Sequence, residues 1–324
     1  MQFHLGFKPK SSQQKLAHEH AVLMMGSCFS EHIGKRLSDL KFNVHSNPFG
    51  IIFNPKSIEM ALQRIVTKQH FTEHDVFEKD WQWFCMEAHS SFSADTKVQL
   101  LNQLNAIINS WHEQLKQARY LIITFGSAYA YKHISAQQTV ANCHKLPQSL
   151  FEKTLLETQS IVSDYQRLIQ TLQQFNPNLH ILFTVSPVKH LKDGVVENNL
   201  SKAVLIQTVH QLIKQNTQCD YFPAYELVND DLRDYRFYEA DMAHPNKQAI
   251  DYVWQKFSDT YFSELTATLN SKLNDIKQAF HHRLFKANSV SSITFKKTYY
   301  KKCIDLEKES PFLDLTNELN YFSL

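Results

Sequence analysis

The sequence predicts an α/β fold on a mostly parallel sheet, and three observations carry that expectation. Short apolar or β-branched runs alternate with longer segments of helical period, as in successive βαβ units. Only 6 of the 324 residues are glycine, which is about 2% against a usual ~7%. Four of them (Gly26, Gly34, Gly50, Gly126) fall at the end of an apolar run or in the helix that follows, where an α/β protein builds its site-forming turns. Finally, 43% hydrophobic and 20% charged residues, with no repeat or low-complexity tract, describe an ordinary globular chain.

The elements follow in order. Residues 20–25 are the first buried-strand candidate, and the break at Gly26 leads into a helix over 30–40. A weaker strand at 42–45 precedes a helix over 56–69, and a helix over 95–117 precedes the strong strand at 120–125. Helical period returns over 151–174, followed by the strand at 181–185, a helix over 198–215, a weak strand at 219–222 and a last long helix from 246 to about 283. Residues 71–93 and 131–146 mix Trp, Tyr, Phe and His without helical period, so they are expected as small β-hairpins or irregular loops. Inserts of that length on a rigid sheet are often functional. From about residue 286, lysine doublets with Ser and Thr suggest a strand pair or a partly ordered extension, so the chain is expected to divide into a domain over 1–280 and an extension over 281–324.

Composition excludes several classes. Lys+Arg 34 against Asp+Glu 32 leaves a formal charge of +2, and the signs alternate along the chain, so no nucleic-acid partner is expected. Apolar runs such as 21–25 and 181–183 are far shorter than the ~18 residues of a membrane span. The first fifteen residues lack the apolar stretch and cleavage site of a secretory signal, which points to the cytoplasm. Five widely spaced cysteines with no C-x-x-C pair read as free thiols.

Two local features carry chemistry. Gly26-Ser27-Cys28-Phe29-Ser30 ends the first strand and opens a helix, a place where a nucleophile gains from the helix N-terminus. Either Cys28 or Ser27 fits that role, while Ser27 and Ser30 also suit helix caps. Asp241-Met242-Ala243-His244 precedes the last long helix, and that spacing lets the carboxylate fix the tautomer of the imidazole so that His244 serves as a general base. Seventeen histidines raise metal-dependent hydrolysis as a further class, but no H-E-x-x-H pattern places ligands together and His18-x-His20 has no nearby carboxylate pair, so neither a metal nor an organic cofactor is expected.

Together these features resemble the SGNH/GDSL hydrolase plan, and more narrowly the GSCFA-domain family, with Ser30 in place of that family's final Ala. The resemblance extends over much of 20–260 through Asn47-Pro48-Phe49-Gly50, His89-Ser90-Ser91-Phe92-Ser93, Thr124-Phe125-Gly126-Ser127-Ala128, Asn142-Cys143-His144-Lys145, Thr184-Val185-Ser186-Pro187-Val188-Lys189-His190 and Asp234-Tyr235-Arg236-Phe237-Tyr238. It implies a flavodoxin-like three-layer α/β/α sandwich and acyl-ester chemistry. Laying the superfamily's Gly-Asp-Ser turn on Gly26-Ser27-Cys28 puts Cys28 at the nucleophile position, and a thiol beside a helix N-terminus and a histidine is expected to have a depressed pKa. Gly50 matches the oxyanion glycine. The usual Asn after the third strand is missing, which leaves Asn142 or His89 as candidate donors, with His89, Gly126 and His144 as candidate pocket residues. The implied partner is a small or carbohydrate acyl ester, a carbohydrate O-acetyl group being one form. The activity is hydrolysis or O-acyl transfer, and the alternative is a catalytically silent glycan- or acyl-carrier-binding module.

Overall fold

The computed structural model describes residues 4–283 and 289–323. Its central sheet has five parallel strands in the order β11-β10-β6-β1-β2, formed by β1 (Ala21–Gly26), β2 (Val44–Ser46), β6 (Ala118–Phe125), β10 (His180–Val185) and β11 (Cys219–Phe222). Strand alternation divides the apolar residues between two faces. Leu23, Met25, Leu121, Ile123, Ile181 and Phe183 join the cluster under α2 (Pro55–Val66), α3 (Lys97–Gln117), α4 (Thr158–Phe175) and α5 (Val195–Gln215). Val22, Met24, Tyr120, Ile122 and Leu182 join the opposite cluster under α1 (Cys28–Asp39), α7 (Lys247–Tyr261) and α8 (Glu264–Phe280). A single turn, α6 (Ala224–Glu226), runs on into a wider turn over Leu227–Leu232. The three-layer sandwich with a parallel sheet is therefore present.

The inserts are two small antiparallel sheets, one of β3 (Val76–Lys79), β4 (Gln82–Cys85) and β5 (Ser93–Ala94), the other of β7 (Tyr129–His133), β8 (Gln138–Val140) and β9 (Phe151–Leu155). Three expectations need correction. Residues 151–155 are strand, because they pair along the whole of β7 from Tyr129↔Leu155 to His133↔Phe151, and that tertiary pairing overrides local helical period. The last long helix is two helices. Phe262 is extended and buried and bridges to Leu16, while Ser263 caps α8 by accepting a hydrogen bond from Thr266 N at 3.1 Å. The tail is helical rather than a strand pair, with α9 (Val290–Glu309) and α10 (Thr316–Phe322). Cys303, Leu306, Leu313, Leu315 and Phe322 bury themselves in the same cluster as α1 and α8.

Gly26 shows why the first turn needs glycine. Its φ is +142°, and a Cβ there would lie 2.2 Å from the Thr124 carbonyl oxygen of neighbouring β6.

Candidate functional site

The C-terminal ends of β1, β6 and β10 form one edge, and the candidate residues gather there to different degrees. Ser27 is buried at 4% exposure; its N–H donates to Thr124 O at 3.2 Å and its Oγ caps α1 by accepting from Phe29 N at 3.4 Å. Ser30 is not a cap, since its hydroxyl donates to Thr124 Oγ1 at 2.8 Å. Cys28 opens α1 and is half-buried, and as the first helical residue it has no carbonyl one turn back to receive its N–H. The expected depressed thiol pKa is not found. Burial, with the Glu31 carboxylate adding to it, pushes the thiol above its ordinary value and outweighs the helix N-terminus.

The Asp-x-x-His turn has the expected local geometry. Asp241 Oδ1 accepts from the N–H of Ala243 at 2.9 Å and of His244 at 3.0 Å, and Oδ2 lies 2.6 Å from His244 Nδ1. Those bonds, first the His244 N–H and then the Ala243 N–H, hold the Asp241 carboxyl down to about 2. With Nδ1 bound to a carboxylate, Nε2 is the nitrogen left to act as a base. His244 faces the first turns of α1, sharing a crevice of about 30 Å³ with Phe29 and His32, and Pro187 of the loop after β10 closes it.

Gly50 has φ +77°, but its N–H already donates to Asn47 O at 2.9 Å, so the oxyanion donor expected there is occupied. A Cβ on Gly50 would lie 2.5 Å from His89 Cβ, which puts His89 on the β2 side of the edge with its Nδ1 3.0 Å from Ser91 Oγ. Asn142 stabilises its own turn by accepting from His144 N at 2.7 Å. His144 is 4% exposed, its Nε2 2.8 Å from Cys85 O and its ring packed on Phe77 and Phe84. Among the described residues, no hydrogen bond or ring contact ties Asn142 or His144 to the edge beside Cys28; they follow β8 and pack against the β3–β4 hairpin. Gly126 does reach the edge, since a Cβ on it would be 2.8 Å from Phe53 Cβ and 3.4 Å from both Ser27 Cβ and His190 Nε2.

A cavity of about 690 Å³ lies elsewhere, along edge strand β11 between His180, Asp220, Glu226 and residues 9–14. We give it no part in the chemistry, because neither Cys28 nor His244 lines it. Among the described residues, no three His, Cys, Asp or Glu side chains converge on a point that could hold a metal ion, and no helix is long and apolar enough to cross a membrane.

The GSCFA family profile matches residues 21–257. The chain belongs to the GSCFA family. No curated protein sequence matches it. Among solved structures, this GSCFA chain is similar to an acetyl xylan esterase (Est2A) from the rumen bacterium Butyrivibrio proteoclasticus, with 12% identity, 81% of this chain and 66% of that one covered, and a TM-score of 0.39. A carbohydrate esterase family 3 protein from Talaromyces cellulolyticus matches with 6% identity, 79% and 99% coverage, and a TM-score of 0.37. A family two carbohydrate esterase from Clostridium thermocellum matches with 11% identity, 81% and 66% coverage, and a TM-score of 0.37. The chain thus spans just under two thirds of the length of the first and third of these.

The sequence reading gave no role to the residues that organise this GSCFA edge. Asn47, at φ +46°, accepts the Gly26 N–H on its side-chain oxygen at 2.9 Å and the Gly50 N–H on its carbonyl, tying the turns after β1 and β2 together. On α5, Asn198, Ser201 and Lys202 share one buried face at helical spacing. Asn198 Oδ1 accepts from His190 N at 2.9 Å, Ser201 Oγ accepts from Ala128 N at 2.7 Å, and Lys202 Nζ donates to Gly126 O and Ser186 O. Lys189 holds the His244 loop, its N–H donating to Ala243 O at 3.0 Å and its ammonium 4.2 and 4.0 Å from the Tyr235 and Tyr238 ring centroids. The available signal was polar residues at i, i+3, i+4 on a helix that must bury that face, together with the block 184–190.

Proposed function

We propose that this GSCFA chain hydrolyses a small carboxylic ester, in particular a carbohydrate O-acetyl group, through a covalent acyl-enzyme on Cys28. The observation that carries the reading is the 2.6 Å Asp241–His244 contact beside the first turns of α1. Cys28 is favoured over Ser27 because Ser27 is buried and its hydroxyl caps α1. His244 Nε2 takes the Cys28 thiol proton as sulfur bonds to the ester carbonyl carbon and the carbonyl π pair moves to oxygen. Collapse breaks the bond to the alcohol oxygen, which leaves with the proton from His244. Water then attacks the thioester with His244 again as base, releasing the acid and restoring the thiol. Because burial raises the thiol pKa, proton transfer accompanies attack instead of preceding it. An alcohol in place of water makes the same chain an acyltransferase.

The test is an acyl ester such as p-nitrophenyl acetate, with peptide mapping of the trapped protein. The expected result is a burst and an acetyl group on Cys28. Asp241→Asn and His244→Ala should each lower turnover by orders of magnitude with the fold intact, and the losses should not add. A wild-type protein with no burst or turnover on this ester or on acetylated xylan fragments, from about pH 6 to 9 where a His base is neutral, rejects the proposal. The raised Cys28 thiol favours a second reading, a silent glycan- or acyl-carrier-binding module, which that result together with saturable binding of the fragments would support.

A further inference from the structure

His190 stands out among the groups the mechanism leaves unused. It follows β10 with its N–H fixed by Asn198 and its ring against Phe53, the centroids 5.0 Å apart. Its Nε2 and Ser27 Cβ both lie 3.4 Å from the point where a Gly126 side chain would begin. The imidazole and the turn at Ser27 thus flank the same glycine at the end of β6. Neither ring nitrogen of His190 has a hydrogen-bond partner among the described residues, so a nitrogen aimed at the sheet edge is left for a substrate.

We propose that His190 is a catalytic residue whose Nε2–H donates a hydrogen bond to the oxyanion formed on the substrate carbonyl. The inference rests on the acyl-enzyme reading and deepens it. As sulfur bonds to the carbonyl carbon, the π pair moves to oxygen and the His190 N–H stabilises that charge without giving up its proton; the bond relaxes when the carbonyl re-forms. The imidazole suits the task because it is neutral. Burial, first, and then the nearby Lys202 ammonium hold its pKa down to about 4, with Lys153 and His244 acting in the same direction and Asp193 in opposition. A neutral imidazole in a water-poor edge donates a hydrogen bond with no tendency to protonate the intermediate. Because the Gly50 N–H is already bonded to Asn47, His190 joins the Cys28 N–H in supplying the donors this edge can offer.

The test compares wild type, His190→Phe and His190→Gln on p-nitrophenyl acetate, with thermal melting of each protein. Phe keeps a flat ring against Phe53 but has no donor, and Gln restores an amide donor. For an oxyanion donor, His190→Phe should lower kcat by ~10²–10³-fold with KM and Tm little changed. His190→Gln should recover at least about tenfold of that loss. The inference is overturned if His190→Phe keeps kcat within about threefold of wild type, or if both variants lose activity equally along with a lower Tm, the signature of a packing residue. Wild-type protein without turnover overturns the acyl-enzyme reading and this inference with it, and that is read before any variant is compared.

Discussion

At the scale of single residues, the Gly26-Ser27-Cys28 turn divides its tasks by burial. Ser27 is structural in its contacts, so Ser27→Ala should cost about 0.5–2 kcal/mol as a lost helix cap, seen as a lower urea midpoint, while acyl transfer to Cys28 persists. An acetyl adduct that disappears in Ser27→Ala would contradict this. Gly26 is less forgiving, because a methyl group 2.2 Å from the Thr124 carbonyl forces β1 away from β6. Gly26→Ala should lower stability by about 1–3 kcal/mol or more and take activity with it. The Asp241–His244 pairing was legible in sequence because three residues of turn suffice to make it. The thiol pKa at Cys28 was not. The helix N-terminus and its favourable sign can be seen in sequence, but the depth of burial that reverses the shift is a property of the packed edge.

At the scale of elements, α5 acts as a clamp on the loops after β6 and β10. Replacing Asn198 with Ala leaves the His190 N–H without its acceptor, which should cost about 1–3 kcal/mol and slow turnover by displacing the His190 ring. A variant with unchanged unfolding and unchanged kcat would show that the contact positions nothing. The tail helices are a second case. Phe322 is fully buried in the cluster shared with α1 and α8, so Phe322→Ala should cost about 3–5 kcal/mol. A loss below about 1 kcal/mol, far short of a core phenylalanine, would show that α10 docks only weakly. The segment 151–155 was misread because short β-strands carry little intrinsic signal, and its pairing with β7 is non-local.

At the scale of the whole molecule, pH should report the buried cation under the sheet edge. Lys202 is fully buried, and burial lowers its pKa from 10.5 to about 7. Between those values the unfolded chain binds a proton that the folded chain does not, so this group's contribution makes stability rise with pH across that window, and its cost is fully present below about 7. Urea unfolding at about pH 7, 8.5 and 10 should show that rise weakened in Lys202→Met relative to wild type. Parallel pH profiles for the two proteins would mean that Lys202 titrates near its ordinary value.

What the sequence determined by itself was the alternation of buried strands and amphipathic helices, the turn at Gly26 that ends β1 and opens α1, and the Asp241–His244 spacing. All of these are written in residue order over a few neighbours, through side-chain period and local hydrogen bonding. Only the tertiary structure decided that His144 and Asn142 are tied up within their insert and its neighbour, that the Gly50 N–H is occupied, and that the polar face of α5 holds the loops after β6 and β10 while Lys189 holds the His244 loop. Those outcomes depend on contacts between segments dozens of residues apart, such as Asn47 with Gly26 and Lys202 with Gly126, and on which face is desolvated when the layers close. Burial fixes both the partners and the charge states of such groups, and no local pattern encodes it.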